Sequence, residues 1–173
     1  MLTPAISRAE CFVADAADSD ISFDFAIERS HFTGHFTEFE VEYCWQDNAP
    51  ETGLISVLVN MASARTGNKD LDIGMQDKQA LNADAFPVAT WQTQSIIKQG
   101  DKYQAQGELT IRGISQLESG TFSLEPIANN WRLTGQSQLK RLDYKLGIGE
   151  FADTAFIPEV VIIKFDFKLK TVD

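Results

Sequence analysis

The sequence has few of the residue types on which several classes of function depend. Its 173 residues include two histidines and two cysteines, and 15 basic residues are outnumbered by 25 acidic ones, which gives a net charge of -10. Affinity for nucleic acid and for anionic membranes comes largely from Lys and Arg, so this balance argues against both partners. No apolar run approaches the roughly 20 residues that span a bilayer, so we predict no membrane insertion.

Motifs of catalysis and metal binding are also missing. The sequence contains no G-x-S-x-G, G-x-x-x-x-G-K-[ST] or H-E-x-x-H, so we predict that the protein is not an enzyme and requires no cofactor. His31 and His35 lack the further ligands that a metal site needs, and we interpret them as exposed loop histidines. Residues 147–152 match G-x-G-x-x-A, but no β-α-β unit surrounds them, and we interpret them as a tight turn.

Two features bear on the compartment. Cys11 and Cys44 could form one disulfide, but they belong to no C-x-x-C motif, and we favour buried free thiols over a bridge. Residues 1–10 lack the basic start and apolar core of a secretory signal, so we expect any targeting segment to be absent or already removed.

What the sequence does have is alternation of apolar and polar residues with a period of two. In residues 38–45, Phe39, Val41, Tyr43 and Trp45 alternate with acidic residues and Cys44, which predicts a strand with one face in water. Seven similar strands are predicted at residues 19–28, 54–61, 88–97, 103–111, 121–127, 131–142 and 160–169. Turns are predicted around Gly34, at residues 100–101 and at residues 129–130. Residues 75–81 have the composition of a short helix.

These segments predict one all-β domain over residues 1–173. A barrel and a sandwich both give strands that are apolar on one face, so the pattern leaves both open. Several strands reach about ten residues, which favours an extended eight-stranded antiparallel barrel with one short helix in a long connection.

Arg141 shares its strand parity with Leu139, which aims its side chain into the barrel. A buried guanidinium needs a partner. The sequence leaves two partners open, an internal carboxylate such as Asp143 and an anionic headgroup of a ligand. Arg65 and Arg112 are expected near the rim of the barrel.

Six segments together resemble the YceI-like polyisoprenoid-binding proteins, and the resemblance covers about residues 17–169. They are SDISF at residues 19–23, GHFTEF at 34–39, SARTGN at 63–68, FPVATW at 86–91, GELTIRG at 107–113 and RLDYKLGIG at 141–149. Each is weak alone, and their order and spacing make the resemblance specific.

The resemblance implies a lipocalin-like barrel in a periplasmic or extracellular setting, with an isoprenoid tail in a long apolar pore. The ligand would be a polyprenyl diphosphate or a ubiquinone-like isoprenoid quinone, bound for storage, transport or electron-carrier sequestration. Polar-head partners would be Arg65, Lys69, Arg112 or Arg141. The residues expected to contact the ligand lie on the inward faces of the strands and in the connections: Phe23, Phe25, Ile27, Phe36, Phe39, Val41, Val57, Val59, Met61, Phe86, Trp91, Leu109, Ile111, Leu139, Ile163, Phe165 and Phe167.

One alternative function remains open from the sequence. A carbohydrate-binding β-sandwich would present Trp45, Trp91 or Trp131 as an exposed platform for sugars. A homodimer, or tethering to other domains of a larger protein, is likewise left open.

Overall fold

The computed structural model describes residues 8–172, in which strands predominate. Within that range lie one α-helix, α1 (Lys69–Met75), and three 3₁₀ turns at Met61–Ser63, Arg141–Tyr144 and Gly149–Phe151. The strands are β1 (Ala9–Asp15), β2 (Asp20–Ile27), β3 (Ser30–Phe36), β4 (Phe39–Gln46), β5 (Ala49–Asn60), β6 (Ala64–Arg65), β7 (Val88–Gln99), β8 (Lys102–Ile111), β9 (Ile114–Ile127), β10 (Asn130–Lys140) and β11 (Val160–Thr171).

The sheet closes on itself. The hydrogen-bonded order runs β1-β4-β5-β7-β8-β9-β10-β11, and β11 pairs back to β1 where Phe12 faces Thr171. Strand β11 also pairs with β2 along residues 162–166, and β2 pairs with β3, so these two strands extend the sheet from β11. The result is a closed, eight-stranded antiparallel barrel, as predicted, and the sandwich alternative is wrong.

The alternation in β4 has the predicted physical meaning. Phe39, Val41, Tyr43 and Trp45 are buried, while the glutamates between them are exposed. Burial of each such side chain contributes about 1.5–3 kcal/mol. The acidic face of β4 therefore lies on the outside of the barrel.

One end of the barrel is filled by aromatic side chains. Trp45, 2% exposed, stacks on Phe12 at 4.4 Å between ring centroids and meets the edges of Tyr43 and Trp131 at 4.7 and 5.7 Å. The Tyr43 hydroxyl donates to the carbonyl of Pro50 at 2.7 Å, and burial raises the pKa of Tyr43 above its ordinary value. Tyr103 stacks on Phe122 at 5.2 Å in the same cluster. This aromatic plug makes one end of the interior solid.

Two long connections, residues 61–87 and 141–159, lie at the other end. The first contains α1, which begins after Asn68, whose side-chain oxygen accepts from the N–H groups of Asp70 and Leu71. The helix predicted at residues 75–81 is therefore misplaced. Residues 77–82 form turns instead, in which the N–H groups of Ala80 and Asn82 donate to the carbonyl of Asp77.

Four strand segments were missed by the sequence reasoning. They are β1, β3, the two-residue β6 and the first half of β9. Gly34 does not form a turn, since it lies within β3 opposite Phe23. His31 and His35 also lie in β3 rather than in a loop. The turn at residues 100–101 is confirmed, and the one predicted at residues 129–130 lies one residue earlier.

Cys11 and Cys44 form a disulfide, so the expectation of free thiols is wrong. The two residues are directly opposed in the β1–β4 pair, with 4.0 Å between their Cα atoms. Cys44 shares the outward face of β4 with the exposed glutamates. The bridge thus fastens β1 to β4 from the outside of the barrel.

Candidate ligand-binding cavity

The barrel contains a cavity of about 380 Å³ between the aromatic plug and the two long connections. Its lining is almost entirely apolar. Along β11, Val161, Ile163, Phe165 and Phe167 all contribute to the wall, which at 3.3 Å per residue corresponds to a length of roughly 20 Å. The volume lies within the range of about 300–1,000 Å³ that is typical of small-molecule sites.

Most of the predicted lining residues lie on this wall. Whether they contact a ligand stays a prediction. Those found in the lining are Phe23, Phe25, Ile27, Phe36, Val57, Val59, Met61, Trp91, Leu109, Ile111, Leu139, Ile163, Phe165 and Phe167.

Three predicted residues lie elsewhere. Phe39 and Val41 point inward as predicted, but they belong to the packed core that includes the aromatic plug. Phe86 lies outside the cavity lining, and the guanidinium of Arg112 lies over its ring at 5.9 Å. Strand parity distinguishes inward from outward residues, but it does not say at which height along the barrel the core is solid.

The predicted list omits several lining residues on predicted strands, among them Ile21, Ile55, Leu133 and Val161. The sequence reasoning also missed two sets that lie elsewhere. The first comes from the long connections, where Leu71, Met75, Leu81, Leu146 and Ile157 cover the cavity. No strand periodicity exists there to reveal an inward direction. The second set comes from β9 and includes Glu118 and Gly120.

Arg141 is 4% exposed and lines the cavity. Its guanidinium donates to four backbone carbonyls: from Nε to Pro158, from Nη1 to Leu146 and Gly147, and from Nη2 to Ile157, at 2.7–3.2 Å. Burial lowers the pKa of Arg141 below its ordinary value, and the charge of Glu159 opposes that shift. The internal salt bridge considered from the sequence is not formed, because among residues 8–172 the ion pairs within 4 Å do not include Arg141. Arg141 thus joins residues 146–147 to residues 157–158 within the 141–159 connection.

The other predicted head-group partners lie outside the cavity lining. Arg65 is exposed and donates through Nη1 to the carbonyls of Ala62 and Ala64. Arg112 donates through Nη1 to the carbonyls of Ala80 and Lys145, at 2.6 and 2.7 Å, and so ties the two long connections together. Lys69 is exposed at the first position of α1.

Glu118 places a carboxylate in the cavity wall. Its Oε1 accepts a hydrogen bond of 2.8 Å from the hydroxyl of Tyr144. Tyr144 is 0% exposed, and burial, followed by the bond to Glu118, raises its pKa above the ordinary value. The fully buried Tyr144 thus fixes the position of the Glu118 carboxylate.

The tryptophans do not form a platform for sugars. Trp45 is buried, and Trp91 and Trp131 are half-buried. Trp91 lines the cavity and Trp131 packs on Trp45. The carbohydrate-binding alternative is therefore not supported.

No constellation of metal ligands occurs among residues 8–172. His35 instead lies 2.8 Å from Asp20, measured from Nδ1 to Oδ1, on the outer surface. In the same part of the chain, no helix has the length and apolar character needed to cross a bilayer.

The model of the YceI-like domain family matches residues 12–169. The chain belongs to the YceI-like domain family. The match confirms the resemblance found in the sequence, and it spans the barrel from β1 to β11.

Relatives and solved structures agree with this assignment. The YceI-like domain described here is 25% identical over 150 residues to a UPF0312 protein of Yersinia pestis, covering 85% of this chain and 73% of the relative. The crystal structure of Burkholderia cenocepacia BcnA superposes with a TM-score of 0.86 at 24% identity, covering 91% of this chain and 99% of BcnA. A polyisoprenoid binding domain from Saccharophagus degradans, implicated in plant cell wall breakdown, superposes with a TM-score of 0.71 at 14% identity, covering 95% and 100%. At these identities the two structures show a shared fold.

Proposed function

We propose that this YceI-like domain binds a long isoprenoid lipid in the barrel cavity and catalyses no reaction on it. The observation that carries the proposal is the cavity itself, about 380 Å³ of space with an almost wholly apolar lining. Space of this kind in a closed barrel accommodates a hydrocarbon chain, whereas a polar metabolite would leave its own groups without partners.

The tail would supply most of the binding free energy. Transfer of one CH₂ group from water to an apolar site is favourable by about 0.8 kcal/mol, so a long chain binds tightly without many polar contacts. The fold shared with the Saccharophagus degradans polyisoprenoid binding domain supports an isoprenoid as the source of that chain. The ligand would be a polyprenyl diphosphate or an isoprenoid quinone, held for storage, transport or electron-carrier sequestration.

The proposal extends to the compartment. Structural disulfides form and persist in oxidising environments, and the bridge between Cys11 and Cys44 supports a periplasmic or extracellular location. Labelling of free thiols in intact cells, before and after reduction, tests this part of the proposal. Cysteines that are accessible to label without reduction would contradict it.

Native mass spectrometry of the protein purified from a bacterial host tests lipid binding. We expect an added mass that corresponds to a long-chain isoprenoid and that is removed by organic extraction. Delipidated protein should regain the mass when a long-chain isoprenoid is supplied. Absence of both the co-purified lipid and its uptake would overturn the proposed function.

A further inference from the structure

The apolar wall of the cavity contains two carboxylates and one cationic group. The carboxylates are those of Glu118 in β9 and Asp70 in α1, and the cation is Arg141. Among residues 8–172, neither Glu118 nor Arg141 has an oppositely charged side chain within 4 Å. Asp70 is exposed at the start of α1, whereas Arg141 is buried and Glu118 is half-buried. The charges of Glu118 and Arg141 cancel, so the cavity wall carries no excess of positive charge.

Arg141 has few free hydrogen-bond donors for a ligand. A guanidinium carries five N–H donors, and the carbonyls around Arg141 accept four of them. One N–H of Nη2 remains without an acceptor in the described part of the chain. A single donor satisfies one neutral oxygen, such as a carbonyl or a hydroxyl, but a diphosphate needs several donors and a clear excess of positive charge when it leaves water.

The carboxylate of Glu118 disfavours an anionic ligand. The Tyr144 hydroxyl donates to its Oε1 at 2.8 Å, and a donated hydrogen bond stabilises negative charge on a carboxylate. The apolar surroundings screen that charge much less than water does. A diphosphate that entered the cavity would be repelled, whereas a hydroxyl group could donate to the second oxygen of Glu118.

We infer that the cavity selects isoprenoids with a neutral oxygen-bearing head and rejects isoprenoid diphosphates, with Glu118 as the residue that determines this specificity. The inference rests on the proposed function, since it names the ligand class of the same cavity. Tyr144 is the positioning residue that holds the carboxylate at the wall.

Geranylgeraniol and geranylgeranyl diphosphate test the inference because they share one tail. Titration calorimetry with delipidated protein should give at least about tenfold tighter binding of the alcohol. Glu118→Gln removes the charge and keeps an oxygen that accepts from Tyr144, so this ratio should fall by about tenfold, mainly through tighter binding of the diphosphate. Glu108→Gln removes the same charge from the exposed face of β8 and should leave the ratio unchanged.

Each outcome has a defined meaning. Equal binding of the two ligands by the unmodified protein, or a ratio that Glu118→Gln leaves unchanged, would overturn the selection and leave lipid binding intact. The second result would also place the diphosphate outside the cavity, at the rim. Failure of both ligands to bind would overturn the proposed function, and the selection with it.

Discussion

The ring of Phe23 in β2 occupies the space over Gly34 in β3. A methyl group on Gly34 would lie well inside the contact distance of two carbon atoms from Cζ of Phe23. The two residues are directly opposed in the β2–β3 pair. Phe23 is also part of the cavity wall and packs against Phe36 at 5.0 Å. Because Gly34 has no side chain, the ring of Phe23 can lie over it, and this contact fixes the position of the cavity wall at Phe23.

Gly34→Ala should destabilise the fold by about 1–3 kcal/mol, because the added methyl group overpacks this contact. The ring of Phe23 has room to move toward the cavity, so the variant should also bind a long-chain isoprenoid more weakly. Urea denaturation and lipid titration measure the two effects. Gly74→Ala is the control for the denaturation measurement alone, since a methyl group there meets nothing within 4 Å but Gly74 itself lines the cavity. Equal stability of the two variants would show that the Phe23–Gly34 contact does not constrain the wall.

How far the sequence predicts this fold depends on what each strand presents to the interior. β4 and β11 were predicted because their inward residues are large and apolar. The first half of β9 was missed because its inward face carries Glu118 and Gly120, which break the alternation that reveals a strand. These two residues belong to the cavity wall, so the pattern failed at the candidate site itself. Gly34 was misread for a related reason. The sequence does not distinguish a glycine that makes room for an aromatic ring from a glycine that forms a turn.

Loss of the Cys11–Cys44 bridge should lower the free energy of unfolding by about 3–4 kcal/mol, because the disulfide closes a loop in the unfolded chain. The two cysteines are 33 residues apart. Denaturant titration with and without reductant measures the loss, and a Cys11→Ser, Cys44→Ser double variant should be insensitive to reductant. A wild-type transition that reductant does not move would contradict the expectation.

Arg141→Met should destabilise the protein by about 3–5 kcal/mol, because four carbonyls lose their donor inside the fold. Those carbonyls lie in the 141–159 connection, so hydrogen exchange should rise there more than in β4 or β5. Arg141→Lys keeps the charge but not the planar fork of donors, and should recover only part of the lost stability. Full recovery by lysine would show that charge, rather than the set of carbonyl bonds, fixes the connection.

Stability should decrease at acid pH in part through Asp166. The Arg132 guanidinium, which bonds both oxygens of Asp166 at 2.9 and 2.6 Å, holds the pKa of this carboxyl below its ordinary value. As the pH falls, the unfolded chain therefore takes up the proton before the folded protein does. The contribution of the Arg132–Asp166 pair to the free energy of unfolding is complete above about pH 5 and is lost as the pH falls through the folded-state pKa of Asp166. Asp166→Asn should be less stable than the wild type at neutral pH, and the difference in free energy of unfolding should shrink as the pH falls through the folded-state pKa of Asp166. A gap that stays constant with pH would contradict this assignment.

Gly120 offers a way to fill the cavity without disturbing the barrel. A methyl group on Gly120 would lie 3.4 Å from Cβ of Ser137, an ordinary contact, so Gly120→Ala should fold normally. Gly120→Leu must extend its side chain into the cavity that Gly120 lines, where it occupies space that a tail would need. We expect Gly120→Leu to keep the barrel, seen by circular dichroism and denaturation, and to lose most of its uptake of a long-chain isoprenoid.

Thr121→Leu is the matched control for this prediction, because it adds a leucine to the neighbouring position of β9, where the side chain is exposed. It should bind lipid like the wild type. If Gly120→Leu and Thr121→Leu bind equally well, the tail lies somewhere other than the cavity. Loss of binding in both would point to a general effect of leucine in β9. Loss confined to Gly120→Leu requires that the ligand and the new side chain compete for the same volume inside the barrel.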